Sequence, residues 1–411
     1  MPEQGEQTED MKLGDQELTN PENPPVDALP ENSEPGHVFN KWKVIPYATL
    51  QSTVDSNIFI STQNPQSDLY FTIATGVAAG WGAVRRDLNQ SAAYFRQADT
   101  PKLELKQPEE GNYVFANYSL SQTLFVDHSA ENSLNHDASI AGEWRFQKIL
   151  FDASVRFQTL SDIDIDVGGR VNRDVLTAQV TSKYAFSEKT AAEINFSRVT
   201  NAYQNALSST DTSIQNWINY QLTGKLNTGV GLKLGDLDVQ ESPAQTYEQI
   251  LLRGIYYAEG KLSFSATGGI EARQLPSRDR YDPVFNFGAI YSPSEQTTIS
   301  LDAFRQTFSS AATAGENIVT TGVGLRIRQR CFEKVYLTLA AGYQRGQYEE
   351  TTQTALSNRI DDSFDFRASI SFDYTKWTTL ELAYEYRDNL STQLNTSFKQ
   401  NLLTLQLNIF F

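Results

Sequence analysis

The sequence is poor in the residues that build metal and redox sites. Its 411 residues include one cysteine, Cys331, and three histidines, His37, His128 and His136. A single cysteine excludes an intrachain disulfide and a cysteine-rich metal cluster, so Cys331 is expected to be a free thiol. A metal needs convergent ligands, and we interpret His128 and His136, eight residues apart, as solvated loop side chains. The sequence therefore predicts neither a metal site nor a cofactor.

The sequence also lacks any apolar run long enough for a transmembrane helix. No segment of about 18 consecutive apolar residues occurs, and the mean hydropathy is −0.44. These properties do not exclude a membrane protein, because half of each strand of a transmembrane β-barrel is polar. A net charge of −16 argues against a nucleic-acid-binding protein, which needs a basic surface.

Negative charge is concentrated at the start of the chain. Residues 1–36 hold ten acidic residues, six prolines and one base, Lys12, with almost no large apolar side chain. Such a composition cannot bury a core, so residues 1–40 are predicted to be a disordered acidic tail and residues 41–411 the folded domain. Met1 is followed by acids rather than by a basic and then an apolar segment. We therefore expect a signal peptide to have been removed or to be encoded upstream.

Along most of the chain, apolar and polar residues alternate with a period of two. In residues 401–411 the two sets are Leu403, Leu405, Leu407, Ile409 and Phe411 against Thr404, Gln406 and Asn408. The same alternation runs through 137–146, 149–158, 364–374 and 380–387. Successive side chains of a strand point to opposite faces, so each segment has one apolar and one polar, often charged, face. Runs of ~10–14 residues are longer than ordinary strands and match strands that cross a bilayer.

The pattern predicts an all-β protein, a transmembrane antiparallel up-and-down β-barrel of about eighteen strands. Turns of two or three residues alternate with longer polar loops, as in bacterial barrels with short periplasmic turns and long outer loops. The longer loops are predicted at 127–135, 161–170, 201–212, 241–246, 274–282, 310–315, 349–361 and 390–396. Residues 81–111 interrupt the alternation, either as a periplasmic excursion or with an extra strand near Ser91–Gln97, so the predicted count lies between sixteen and twenty.

Several motifs resemble those of a known family. They are Trp42-Lys-Val-Ile-Pro46, Val54-Asp-Ser-Asn-Ile-Phe59, Asn117-Tyr-Ser-Leu-Ser-Gln-Thr-Leu-Phe125 and Asn135-His-Asp-Ala138. With the tyrosine-rich strands and the closing Phe411, they resemble the putative β-barrel porin 2 family of Gram-negative outer-membrane proteins over about residues 40–411. The terminal strand resembles the one that the barrel-assembly machinery reads, which implies that Phe411 is an assembly signal. The resemblance implies the bacterial outer membrane as location, and some members are associated with exopolysaccharide production or surface assembly.

The polar faces of the strands supply the candidate functional residues. Arg326, Arg328 and Arg330 share one face of a strand, and the next strand has only small or uncharged residues there. Five further charged residues are predicted to line the lumen, namely Asp365, Arg367, Asp373, Glu381 and Glu385. Charged rings set the selectivity of channels, so a selectivity column is one interpretation. The other is an internal salt-bridge ladder that stiffens the wall by pairing the arginines with Asp365 and Asp373.

Aromatic residues suit the interfacial girdles of a barrel. Those expected at the membrane interface are Trp42, Trp81, Trp144, Tyr343, Tyr384 and Tyr386. Trp217 is the exception, because it shares parity with Gln215, Asn219 and Gln221 and is expected to face the lumen. A Ser-His-Asp site would need a histidine on the barrel wall, and no serine is marked as a partner for His136. The chain is therefore predicted not to be an enzyme.

The favoured function is an outer-membrane, porin-like channel that passes hydrophilic solutes, saccharides or exported polysaccharide among them, through a charged lumen. A lumen of this size is wide enough for water and solutes. The alternative is a plugged barrel that serves as a surface anchor or assembly partner in envelope or exopolysaccharide biogenesis. Expected partners are outer-membrane lipid, lipopolysaccharide and the barrel-assembly machinery, and no nucleic acid.

Overall fold

The protein is built from antiparallel strands. The computed structural model describes residues 37–39, 42–82, 111–258, 261–276, 279–351 and 358–411. The strands are β1 His37–Phe39, β2 Trp42–Asp55, β3 Asp68–Gly82, β4 Tyr113–Phe125, β5 Ser133–Arg145, β6 Ile149–Asp164, β7 Gly169–Ala185, β8 Thr190–Tyr203, β9 Ser209–Gln221, β10 Leu226–Val239, β11 Gln245–Ala258, β12 Leu262–Gln274, β13 Asp279–Ser294, β14 Thr297–Ser309, β15 Glu316–Phe332, β16 Val335–Glu350, β17 Ile360–Thr375, β18 Thr378–Ser391 and β19 Phe398–Phe410. One 3-10 turn, Ser129–Glu131, precedes β5. Among the described residues, no helix has the length and apolarity needed to cross a bilayer.

Strands β2 to β19 close into an eighteen-stranded barrel. Each strand pairs with its neighbours in sequence, and β19 pairs with β2 from Leu402↔Asp55 to Phe410↔Tyr47. The short β1 pairs with the start of β2. The predicted all-β, antiparallel barrel of about eighteen strands is confirmed. With strands ~4.8 Å apart and tilted by ~40°, eighteen strands give a backbone diameter of about 35 Å.

Contacts that skip a strand identify the inner face of the wall. Side chains converge on the concave face of a curved sheet and diverge on the convex face. The Tyr47 hydroxyl donates to Asn117 Oδ1 at 2.9 Å, from β2 to β4 across Gly76 of β3. Arg253 of β11 likewise reaches Glu193 of β8. These polar residues therefore face the lumen.

The opposite parity forms an apolar outer surface. Leu403, Leu405, Ile250 and Leu252 are between 50% and 67% exposed, as expected of side chains that face lipid. Residues paired across antiparallel strands share a face, so the register carries this assignment around the barrel. Alternation places the apolar set outside and the charged set inside, in agreement with the sequence pattern.

The two ends of the barrel differ. We call the end with the start of β2 and the end of β19 the terminal rim, and the opposite end the loop rim. The predicted loops 161–170 and 201–212 are wrong in extent, because β6 and β7 leave only residues 165–168 between them and β8 and β9 leave 204–208. The alternation continues through these polar segments, so they remain strands. The predicted tail 1–40 lies almost wholly, and the segment 81–111 mostly, outside the described residues.

Candidate functional site: the mouth bridge and the inner wall

The sheet splits between β5 and β6 near the loop rim. Pairing of β5 with β6 ends at Asp137↔Gln158, whereas β6 and β7 stay paired to Asp164↔Gly169. We call residues 159–172 the β6–β7 tip. At ~3.3 Å per residue, its six residues on β6 extend about 20 Å beyond the split.

A second split separates β13 from β14. Their pairing ends at Phe285↔Arg305, whereas β14 and β15 stay paired to Ser309↔Asn317. We call residues 306–320 the β14–β15 tip. In strand order, the two tips are eight strands apart in a barrel of eighteen, so they rise from nearly opposite walls.

Both tips fold inward over the mouth. The side chain of Asn317 has outward parity, like Val323, yet it hydrogen-bonds Gln245, which has inward parity on β11. Arg170 also has outward parity, yet its guanidinium lies 5.0 Å above the ring of Phe125, an inward-facing residue of β4. An outer face can meet the inner face of another wall segment only if the tip turns into the barrel.

The tips meet at Asp166. Its carboxylate accepts hydrogen bonds from the backbone N–H of Ala311 at 2.6 Å and Ala312 at 3.2 Å, and from the Ser310 hydroxyl at 3.1 Å. The side chain of Asp166 is 12% exposed. Burial raises the pKa of the Asp166 carboxyl above its usual range, even though these donors favour the charged form. We call this contact the mouth bridge.

Arg359, just before β17, holds the bridge from the side. Its two terminal nitrogens donate to the backbone carbonyls of Ile165 and Asp166, both at 2.9 Å. The same guanidinium pairs with Asp361 at 2.6 Å and lies 4.2 Å above the ring of Tyr348. Arg359 is 7% exposed, so a buried, fully engaged cation fixes the turn of the β6–β7 tip.

Neutral contacts hold the β14–β15 tip. Asn317 and Gln245 exchange hydrogen bonds of 2.7 and 3.3 Å, and both side chains are at most 3% exposed. The N–H of Gly315 donates to the Ser242 hydroxyl, and the N–H of Leu207 donates to the carbonyl of Ala311. Two other hairpins, β8–β9 and β10–β11, therefore contact this tip.

The arginine column lies on the inner face. The pairs Gln51↔Gln406, Gln406↔Glu381, Glu381↔Ser371, Ser371↔Tyr336 and Tyr336↔Arg330 form one continuous row from β2 to β15. Arg326 and Arg328 share parity with Arg330, and their partners on β16 are Ala340 and Thr338. Arg328 lies 4.6 Å above the ring of Tyr336. Among the described residues, no carboxylate lies within 4 Å of Arg328 or Arg330.

A salt-bridge ladder is present two strands away and involves other arginines. Arg367 of β17 contacts Glu381 at 3.0 Å and Glu385 at 3.4 Å on β18. Arg387 also pairs with Glu385. Asp373 accepts a hydrogen bond from Thr379 at 2.9 Å, and Asp365 lies over Gly342. The predicted lumen residues thus form two systems, a column on β15 and a ladder on β17 and β18.

Other residues singled out from the sequence have structural contacts. Trp217 lies on the inner face, 4% exposed, with the guanidinium of Arg253 4.3 Å above its ring. His128 contacts Asp68 at 2.8 Å and Gln66 at 2.8 Å. The N–H of Phe411 donates to the carbonyl of Pro46, beside the closure of the barrel.

The mouth bridge escaped the sequence analysis. Asp166 and Arg359 lie in segments predicted as plain loops. One signal was available, since Asp162, Asp164 and Asp166 alternate with Ile163 and Ile165, which extends the strand pattern of β6 beyond a membrane-crossing length. No comparable signal marks Arg359, because the carbonyls that it binds on the β6–β7 tip lie 193 and 194 residues away in sequence.

A known family model matches the C-terminal part of this barrel. Residues 287–411 match the model of the family described as "Putative beta-barrel porin 2". The predicted family resemblance is confirmed over this segment, which runs from within β13 to the C-terminus, while the motifs near residues 42–59 and 117–138 lie outside it. The chain is a β-barrel of the bacterial outer membrane with a porin-like fold.

Solved structures with a similar fold are remote in sequence. They include OccAB3 of Acinetobacter baumannii (11% identity, TM-score 0.47, 90% of this chain and 99% of that chain). Two others are from Pseudomonas aeruginosa. OccK2 (OpdF) in complex with glucuronate has 11% identity, a TM-score of 0.46 and coverage of 90% and 98%. OpdK with vanillate has 11% identity, a TM-score of 0.42 and coverage of 90% and 99%. No match was found among curated protein sequences.

Proposed function

We propose that the protein is a passive channel for small hydrophilic solutes, narrowed at one end by the mouth bridge and biased toward anions by the arginine column. The loop rim is taken to face the outside of the cell, because the longer polar loops, predicted to be outer loops, lie at that rim. The observation that carries the proposal is the charged inner wall, which is open to water at mid-barrel.

Exposure of the inner charges supports a wet lumen. Arg326, Arg328 and Asp365 are exposed, and the side chains of Arg367 and Arg387 are 38% and 40% exposed. A dry, packed core would not hold this density of charge, because a buried ion costs several kcal/mol (order of magnitude) even when it is paired. An aqueous passage is the simplest environment for these side chains.

The mouth bridge favours passage of a small solute over passage of a polymer. The two tips cross a mouth of roughly 35 Å and divide it into smaller openings. A polysaccharide chain would have to thread one of these openings while the tips stay joined. A saccharide or another small solute has no such constraint.

Reversal potentials in planar bilayers test the anion preference. Replacing Arg326, Arg328 and Arg330 with Gln should shift selectivity toward cations, because three positive charges leave the lumen wall. The shift should shrink toward ~1 M salt, where the Debye length is only ~3 Å. Arg198→Gln, on the outer face of β8, removes one charge outside the lumen and should leave the reversal potential unchanged.

An unchanged reversal potential in a conducting triple variant would remove the column as a filter. A wild-type barrel that never conducts would instead favour the predicted alternative, a plugged barrel that acts as a surface anchor or assembly partner in envelope or exopolysaccharide biogenesis. The prediction that the chain is not an enzyme agrees with its porin-like fold. A lipid- or peptide-hydrolysis assay on the folded barrel would check it.

A further inference from the structure

Two arginines interrupt the outer face of the barrel near the loop rim. Arg305 of β14 and Arg345 of β16 both pair with Thr321 of β15, so all three side chains lie in one row on the outward face. With strands ~4.8 Å apart, the two arginines stand roughly 9.6 Å apart at their Cα atoms. The Arg305 side chain reaches the Thr321 hydroxyl, and the Arg345 side chain lies beside Asp362 of β17.

This row lies at the edge of the apolar band. The next row toward the terminal rim holds Val323, Tyr343 and Phe364, which are 43–44% exposed. Further outward-facing rows continue to Leu337 and Ile370. From the arginine row to that of Leu337, four steps of ~6.7 Å along strands tilted by ~40° cover about 20 Å of depth, close to the ~25 Å apolar band of such barrels. The arginines therefore sit at the level of lipid headgroups.

The protein leaves both guanidinium groups incompletely satisfied. A guanidinium carries five donors. Arg305 donates to the Thr321 hydroxyl at 2.7 Å, and Arg345 lies 3.7 Å from Asp362, whose carboxylate also accepts the Tyr343 hydroxyl at 2.7 Å. The Nε atoms of both arginines are buried and have no hydrogen-bond partner among the described residues, so a ligand would meet the terminal nitrogens. The side chain of Arg345 is 43% exposed.

The arginine row carries more positive than negative charge, because it holds two arginines and one acid, Asp362, which pairs with Arg345. Near the same rim, the outward-facing charges on β10 and β11 are Asp236, Asp238 and Glu248. Two partly exposed arginines at headgroup depth suit an anionic headgroup, because arginine binds phosphate with two parallel hydrogen bonds.

We propose that Arg305 and Arg345 bind a phosphate of a lipopolysaccharide headgroup, with the Thr321 hydroxyl between them. The site depends on the outward orientation of the loop rim that the proposed function assumes, but not on conduction through the barrel. Because the phosphate would sit on the wall just below the β13–β14 split, a bound lipid also covers the base of the β14–β15 tip.

Native mass spectrometry of the full-length barrel in detergent, with added diphosphoryl lipid A, tests the site. Wild-type protein should retain bound lipid A, and Arg305→Gln/Arg345→Gln should lose it by about tenfold or more, as expected for two charge-assisted contacts. Arg198→Gln, which removes one outward arginine on β8, should bind like wild type. Lipid A with its phosphates removed should bind wild type as weakly as diphosphoryl lipid A binds the double variant.

Four further measurements keep the test decisive. Heat-modifiable gel migration shows whether each variant is folded, and Arg305→Lys/Arg345→Lys keeps the charges and should retain partial binding. An excess of inorganic phosphate should displace little lipid A if the headgroup, and not free phosphate, is the ligand.

The proposal would be overturned if wild type and the folded Gln variant bound diphosphoryl lipid A equally, or if wild type bound the dephosphorylated lipid as well as diphosphoryl lipid A. Complete displacement of lipid A by phosphate would also overturn it. Conduction measured on the same samples separates these outcomes from failure of the channel function.

Discussion

The two tips that meet at the mouth are held by different forces. The β6–β7 tip is held by charge, through the Asp166 carboxylate and the buried Arg359 guanidinium. Besides Asp166, the β14–β15 tip has neutral contacts, through the Asn317–Gln245 amides and backbone hydrogen bonds from other loops. Charged contacts respond to pH and amide contacts do not. We therefore expect pH to act on the contacts of the β6–β7 tip and to leave the amide contacts of the β14–β15 tip unchanged.

Replacement of Arg359 with Leu should have the largest effect. It leaves Asp361 buried without its cation and frees two carbonyls of the β6–β7 turn. Breaking a buried ion pair costs about 3–5 kcal/mol, so the bridge should open. Single-channel conductance should rise, and larger neutral polymers should enter the lumen. Arg198→Leu serves as the control, and unchanged polymer exclusion in the Arg359 variant would show that the bridge does not set the width.

Replacement of Asn317 with Leu should have a smaller effect on the β14–β15 tip. The Gln245 side chain, 1% exposed, would lose one partner, at a cost of about 1–3 kcal/mol. The Asn317→Leu/Gln245→Leu double variant removes both polar groups and should recover part of that loss. Hydrogen exchange of the β14–β15 amides would measure the difference. Equal protection in wild type and the single variant would contradict this account of the anchor.

Acid should tighten the bridge, with a modest effect. Burial raises the pKa of Asp166 in the bridged state, whereas a released, solvated Asp166 would titrate near 3.8. The bridged state therefore binds the proton more tightly and is favoured as pH falls through the raised pKa toward 3.8. Conductance should fall over this range. Asp166→Asn, which cannot ionise, should lose this component of the pH dependence, and a rise in wild-type conductance would reverse the assignment.

Deletion of residues 1–36 should have the smallest effect and leave both anchors intact. The segment holds almost no large apolar side chain that could dock on the barrel. Heat-modifiable migration and conductance should match those of the full chain. Loss of the folded band would show that the segment stabilises the barrel.

The wall of the barrel was predictable because it follows one local rule. Alternation with period two set the inner and outer faces of residues such as Arg326 and Leu405, and the alternating turns and loops gave the strand number. Neither inference needs knowledge of distant contacts. The paired row from Gln51 to Arg330 agrees with that reading.

The mouth was not predictable by the same rule. Whether a strand stays in the wall or bends inward depends on where lateral pairing stops, and no local pattern marks Gln158 or Arg305 as the last paired residue. The partners of Asp166 lie 144–146 residues away in sequence. The two interpretations of the charged residues also required the register, which assigned the ladder to Arg367 and Arg387 and left the β15 column separate.

Because of the two splits in the sheet, the wall and the mouth of the barrel can form at different times. Below Asp137↔Gln158 and Phe285↔Arg305, the hydrogen-bonded ladders form a cylinder without any contribution from the tips. A nascent barrel can therefore seal in the membrane while its entrance is still unformed, and the tips can join afterwards. Hairpin ends on such a cylinder can therefore lengthen, shorten or change charge without altering the lipid-facing wall.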